Sequence, residues 1–268
     1  MHYHGFCTYF VLYRMQVGAR TMKLPVFAVV MAAMRDFARF VMRHPLAVLV
    51  AIAGSILLDR WLGPAYAGSD RPMSLAGVAQ SGASVLAQLL VWLPLWLVAV
   101  REVVSGQALP LRLGGLPSPA TQRYALYNAA IMLAAEPLSL IDGRAPVAGI
   151  LVLALAVGAA WFSLRATLTF TSLALGRLDL GFARSIERTR GQTLRLLAIL
   201  LLPLAVFIAA ALTVMLVALA NEADPDLDLP EWSALAVVTV QLFMLTAAIA
   251  GAQVYRRLEA ATPQNGRY

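Results

Sequence analysis

Glu136 is the one acidic residue well inside a long apolar stretch. An ionisable group at mid-helix costs on the order of 2.5–3.5 kcal/mol on insertion scales, and such residues commonly line polar pathways. Pro137 follows it and frees a backbone carbonyl one turn earlier. The pair is therefore a candidate proton- or cation-coupled site. The plainer reading, which we prefer, places Glu136 toward the outer end of its helix near Asp142, where the carboxylate reaches headgroup water.

A second candidate is the basic loop at 165–195. Leu178, Leu180, Phe182 and Ile186 are interspersed with Arg177, Arg184, Arg188 and Arg190, and Arg195 follows at the start of the next apolar run. Such an amphipathic element suits lipid or partner docking, each basic residue contributing about 1 kcal/mol near anionic headgroups. The apolar stretch 166–176 ahead of it either continues the preceding helix or lies along the interface.

Other constellations fall short. Glu222, Asp224, Asp226, Asp228 and Glu231 are spaced in a way that suggests calcium ligation. An EF-hand counted from Asp224, however, puts Leu229 at the glycine position and Leu235 at the bidentate glutamate position. His2, His4 and His44 are the only histidines, and Cys7 is alone. A glycine-framed serine, a His-Glu-x-x-His pair and a phosphate-cradling glycine loop are all missing. We expect no catalytic activity, no metal and no cofactor.

The elements that carry these residues follow from composition. The chain has 268 residues, 60% hydrophobic and 13% charged, with a mean hydropathy of +0.75. A soluble domain is about 45–50% apolar and about 25% charged, so an ordinary water-soluble globule is excluded. A crossing helix needs about 20 predominantly apolar residues. Segments 83–100, 145–164, 196–220 and 233–254 meet this plainly. Segments 41–62 and 124–141 are weaker, the first ending on Asp59 and Arg60 and the second holding Glu136. The runs are apolar on every face, unlike the alternating strands of about 10 residues in a membrane barrel. The expected fold is all-α, an integral membrane protein of about six transmembrane helices.

Charge orients this reading. With six spans and both termini inside, 18 of the 21 Lys and Arg residues fall on the side of the termini. Arg60, Arg71 and Arg144 alone fall on the other. This is the positive-inside pattern, and it turns the formal charge of +7 into an orientation signal rather than a nucleic-acid footprint. Trp61 and Trp232 fall at the outer boundary, and Tyr124, Trp161 and Tyr255 at the inner one, as an aromatic belt requires. Trp92 and Trp96 lie inside a span on one face, to pack or to meet lipid.

Residues 1–26 form a basic N-terminal segment, 27–258 a single membrane domain and 259–268 a cytoplasmic tail. Residues 24–33 lack a clean small-residue cleavage site and are followed by more basic residues, against a cleaved leader. An amphipathic helix over about 27–43 is expected, with Met34, Phe37 and Val41 on one face and Arg35, Arg39 and Arg43 on another. Small residues at spacing four, Ala154 with Gly158, Ala205 with Ala209 and Ala247 with Gly251, favour close helix packing. Leu93-Pro94-Leu95 and Leu202-Pro203-Leu204 occupy the second and fifth spans, as interrupted helices of an inverted repeat would, but a three-residue match in Leu-rich sequence without wider similarity is more simply chance.

Gly176-Arg177, Phe182, Ser185, Thr189-Arg190-Gly191 and Arg195-Leu196-Leu197, with Tyr255-Arg256-Arg257-Leu258 after the last span, resemble the bacterial multi-span proteins related to the membrane domain of glycerophosphoryl diester phosphodiesterases. The resemblance covers roughly residues 30–258. It implies an inner-membrane protein of about six helices. The hydrolase activity of that group belongs to a separate soluble barrel, for which this chain has no room. The expected role is non-catalytic support of membrane or lipid-related processes, with the bilayer and its anionic lipids as partners and no nucleic acid. The alternative is a small secondary transporter or the membrane subunit of one. Protein partners and oligomeric state are not legible in the sequence.

Overall fold

A computed structural model describes residues 24–62, 75–111, 118–135, 146–221 and 229–260. Among them the chain is all-helical, without strands. The helices are α1 (Val26–Arg43), α2 (Pro45–Leu62), α3 (Leu75–Ser105), α4 (Pro119–Ala135), α5 (Pro146–Ala174), α6 (Phe182–Arg188), α7 (Thr193–Asn221) and α8 (Leu229–Ala260). Four of them hold stretches long and apolar enough to cross a membrane: Pro45–Leu62, Gly82–Ser105, Thr193–Val217 and Ala234–Glu259.

Local chemistry sets the boundaries. The expected span 41–62 divides at His44 (φ −122°, ψ 46°), so Val41 and Met42 belong to α1. Pro45 biases its predecessor away from helical dihedrals, and it opens α2 where no N–H is needed. Ser118 caps α4, its hydroxyl accepting the Thr121 N–H at 3.2 Å, with Pro119 as the first helical residue. α5 runs ten residues past the expected end at 164. It stops in a Schellman turn, in which Gly176 (φ +83°) lets the Arg177 N–H reach the Ser172 carbonyl at 3.0 Å. Pro94 and Pro203 lie inside continuous helices, so neither helix is broken in the way the repeat reading supposed.

Cross-helix bonds give the relative directions. Trp92 of α3 donates to Ser55 of α2 at 2.7 Å, and Glu102 meets His44 at 3.0 Å, so α2 and α3 are antiparallel. Gln241 of α8 bonds Gln88 at 2.7 Å, and Arg256 bonds the Val103 carbonyl at 3.1 Å, so α3 and α8 run parallel in register. Arg101 donates to the Ala174 carbonyl at 2.8 Å, which brings the C-terminal end of α5 to the same end of the bundle. α1 lies across these ends, from Leu24 at Gln192 to Arg43 at Glu102.

The core is built around α3, whose spanning stretch is 61% buried, against 11% for α7. Trp92 and Trp96 are both fully enclosed in it. The outward face of α7 carries Leu201, Leu202, Val206, Ile208, Leu212 and Leu216, all exposed. A contiguous apolar face of that kind is untenable in water and is what a lipid-facing helix requires. Of the small-residue pairs, only Ala247–Gly251 sits at a tight contact. A Cβ on Gly251 would stand 3.0 Å from the Thr167 Cγ2 of α5. Gly158 faces open space, and Ala205 and Ala209 are exposed.

Candidate functional site: a basic cleft at one end of the bundle

One end of the bundle gathers almost all the described cationic side chains, and Arg60 alone stands at the other. The densest grouping lines a cleft of about 580 Å³ between α1, α3 and α8. α1 contributes Arg35, Arg39 and Arg43 at four-residue spacing, hence on one face. α8 contributes Arg256, Arg257 and Gln253, and α3 contributes Glu102 with Ala99 and Val103.

Glu102 is buried, and its carboxylate is fully engaged. Oε2 accepts from Arg43 at 3.1 Å, while Oε1 meets His44 Nε2 at 3.0 Å and the Leu109 N–H at 2.9 Å. The last contact exists because Gly106 (φ +71°) ends α3 in a left-handed residue and turns the chain back over its final coil. Asp36 accepts a short hydrogen bond from Gln253 and lies 3.6 Å from Arg39 and 3.9 Å from Arg35. Both carboxylates of the cleft are thus committed. Arg35 and Arg39 remain more than half exposed, each with its nearest carboxylate beyond hydrogen-bond distance. Five guanidinium groups against two carboxylates leave the cleft at net +3.

Within the basic loop, Phe182–Arg188 form α6. α6 packs its apolar side on protein, where the Phe182 ring lies 4.9 Å from Tyr127 and 5.0 Å from Phe162. Ser185 donates to the Arg165 carbonyl at 2.6 Å, and Arg165 Nη1 donates to the Thr189 carbonyl at 2.6 Å. Arg184, Arg188 and Arg190 remain exposed on the outer side, and Arg195 is half-buried at the start of α7. Arg177 is exposed and reaches Tyr255 at 3.4 Å, and Tyr255 in turn donates to Glu259 at 2.6 Å. The bond with Tyr255 raises the Arg177 pKa above the ordinary guanidinium value. The loop arginines and the cleft arginines therefore share an end without forming one site.

Glu136 lies outside the described residues, as do residues 222–228 of the acidic loop. Among the described residues, no three His, Cys, Asp or Glu side chains gather as a metal site needs. Tyr124 and Tyr255 are buried against protein at the arginine-rich end of the bundle. Trp161 sits in mid-helix because α5 continues beyond it, with the Arg165 guanidinium 5.5 Å from its ring. A smaller cavity of about 180 Å³ lies between α3, α4, α5, α7 and α8 and is lined mainly by apolar side chains.

Sequence reasoning missed the cleft. Its arginines read as orientation charges and as the polar face of the helix over 27–43, and Glu102 was not singled out. The available signal was an acid inside a strongly basic terminus of an apolar run. No protein-family model, curated protein or solved structure matches the chain.

Proposed function

We propose that this chain is a six-span integral membrane protein of a bacterial inner membrane, with both termini cytoplasmic, that acts on its membrane without catalysis of its own. α4 and α5 supply the two crossings beyond the four helices already long and apolar enough. The observation that carries the reading is the collection of described arginines at one end of the bundle, with Arg60 alone at the other. Under the positive-inside rule that end is cytoplasmic, where anionic lipids hold a negative surface potential. The likeness to the multi-span proteins related to phosphodiesterase membrane domains supports the same reading. Gly176, Phe182, Ser185 and Thr189, which carry that likeness, act here as a helix stop, an aromatic contact and backbone ties rather than as chemistry.

Alkaline phosphatase fusions test the topology. Activity is expected after residues 70, 143 and 226, and none after 110, 180 or 258. Activity at 180 or 258 would overturn the arrangement. Quenching of tryptophan fluorescence by brominated phosphatidylglycerol, relative to brominated phosphatidylcholine, tests the lipid role. Reversal of Arg184, Arg188 and Arg190 to Glu should lower the relative preference for the anionic lipid, and an unchanged preference would remove its support.

A further inference from the structure

The exposed loop arginines account for a diffuse attraction to an anionic surface. The cleft asks for something more specific. Like charges converge there from two helices, Arg35, Arg39 and Arg43 from α1 and Arg256 and Arg257 from α8. The two carboxylates neutralise them only in part: Glu102 is taken up by Arg43, His44 and the Leu109 N–H, and Asp36, bonded to Gln253, stands 3.6 Å from Arg39 and 3.9 Å from Arg35. Arg256 and Arg257 each spend a donor on a backbone carbonyl, of Val103 and Ala28, which fixes their stems and leaves the remaining fork free. Guanidinium groups fixed in this way present planar forks preorganised for a multi-oxygen anion.

We propose that this cleft is a phosphoryl-binding site, in which Arg35, Arg39, Arg256 and Arg257 close on the oxygens of one phosphate group. Arg43 is the least available, because Glu102 holds it at 3.1 Å and makes it a wall of the site. The volume of about 580 Å³ falls within the roughly 300–1,000 Å³ of ordinary ligand pockets. A carboxylate ligand would satisfy one fork, whereas a phosphate offers oxygens to several at once and its charge of about −1 to −2 offsets part of the surplus of three positive charges. The cleft lies beside the C-terminal ends of α3 and α8, so a lipid headgroup and a free phosphate both bring the right chemistry to it. The proposal rests on the reading above in placing this end at an anionic surface.

The test uses the full chain in phosphatidylcholine nanodiscs. One arm adds a few per cent of phosphatidic acid or phosphatidylglycerol and counts lipids retained per chain by native mass spectrometry. The other adds inorganic phosphate to discs of phosphatidylcholine alone and follows thermal stabilisation. One anionic lipid retained per chain identifies the headgroup as the source, and saturable stabilisation by phosphate identifies the free anion. In either case Arg35→Gln with Arg39→Gln should weaken binding by roughly 30-fold, while the Arg184, Arg188 and Arg190 reversals leave it within about twofold. Both of these side chains are more than half exposed, and an unchanged unfolding midpoint without ligand shows that the fold is intact. The proposal is overturned if neither source binds better than phosphatidylcholine, or if the double variant binds as the parent does. Loss of binding in the loop variant alone would assign the affinity to the surface and also overturn the cleft. Failure of the loop variant to alter bulk lipid preference would count against the broader reading and leave the cleft standing.

Discussion

Gln241 donates its amide N–H to the side-chain carbonyl of Gln88 at 2.7 Å, joining α8 to α3 through two buried side chains in the apolar core. Interhelical bonds of this kind in membrane proteins contribute about 0.6 kcal/mol on average, up to about 1.7. Gln241→Leu should exceed that average, costing about 1–2 kcal/mol, because it leaves the Gln88 amide buried without its partner. Replacing both residues by Leu should recover most of the loss. Unfolding midpoints in detergent check both, and a double variant weaker than the single would show that the bond does more than satisfy itself.

Gly251 and Gly158 make a matched pair of tests. At Gly251 a Cβ would press on Thr167, 3.0 Å from its Cγ2. Gly251→Ala should destabilise by about 1–3 kcal/mol through the crowded contact between α8 and α5. Gly158→Ala meets open space and should stabilise by up to about 1 kcal/mol through helix propensity. Equal effects at the two positions would refute the contact assigned to Gly251.

Ser185 and Arg165 clasp α6 to α5 through two bonds of 2.6 Å. Ser185→Ala removes one of them, worth about 1 kcal/mol, and should raise the open population of the loop roughly fivefold. Tryptic cleavage at Arg184 and Arg188 in inside-out vesicles reads this directly. A cleavage rate matching the parent's would mean that the clasp does not hold the loop.

Glu102 is the hub of the cleft wall. Glu102→Gln removes a buried charge that faces Arg43 and His44 and should lower stability by about 1–3 kcal/mol, toward the smaller figure because Arg43 is half exposed. The variant cleft gains net positive charge, so its affinity for an anion should rise rather than fall. Reduced affinity in a folded Glu102→Gln protein would show that Glu102 positions the arginines instead of merely diluting their charge.

Much of the architecture was readable from runs of apolar residues. The expected segment 196–220 lies within Thr193–Asn221, and 233–254 within Leu229–Ala260. The misreadings have local causes. Arg165 reads as the end of a span, yet its guanidinium finds the Thr189 carbonyl and the helix continues to Ala174. Val41 and Met42 read as continuous with 45–58 because hydropathy does not register the break imposed by Pro45. The amphipathic loop was legible as having an apolar side, but periodicity says that a face is covered and not what covers it. Phe182 meets Tyr127 and Phe162 of α4 and α5. The cleft was least legible, since Arg35 and Arg257 come together only through the packing of the first and last helices.

The arginines that tie helix ends also bear on how the chain is assembled. Arg256 holds the Val103 carbonyl and Arg101 holds that of Ala174, both at helix C-terminal ends where carbonyls lack partners within the helix. An α8 inserted in the wrong sense would carry Arg256 to the opposite leaflet and leave Val103 untied. Orientation errors would thereby become packing errors, since the same two guanidinium groups that mark the basic end also close the helix termini.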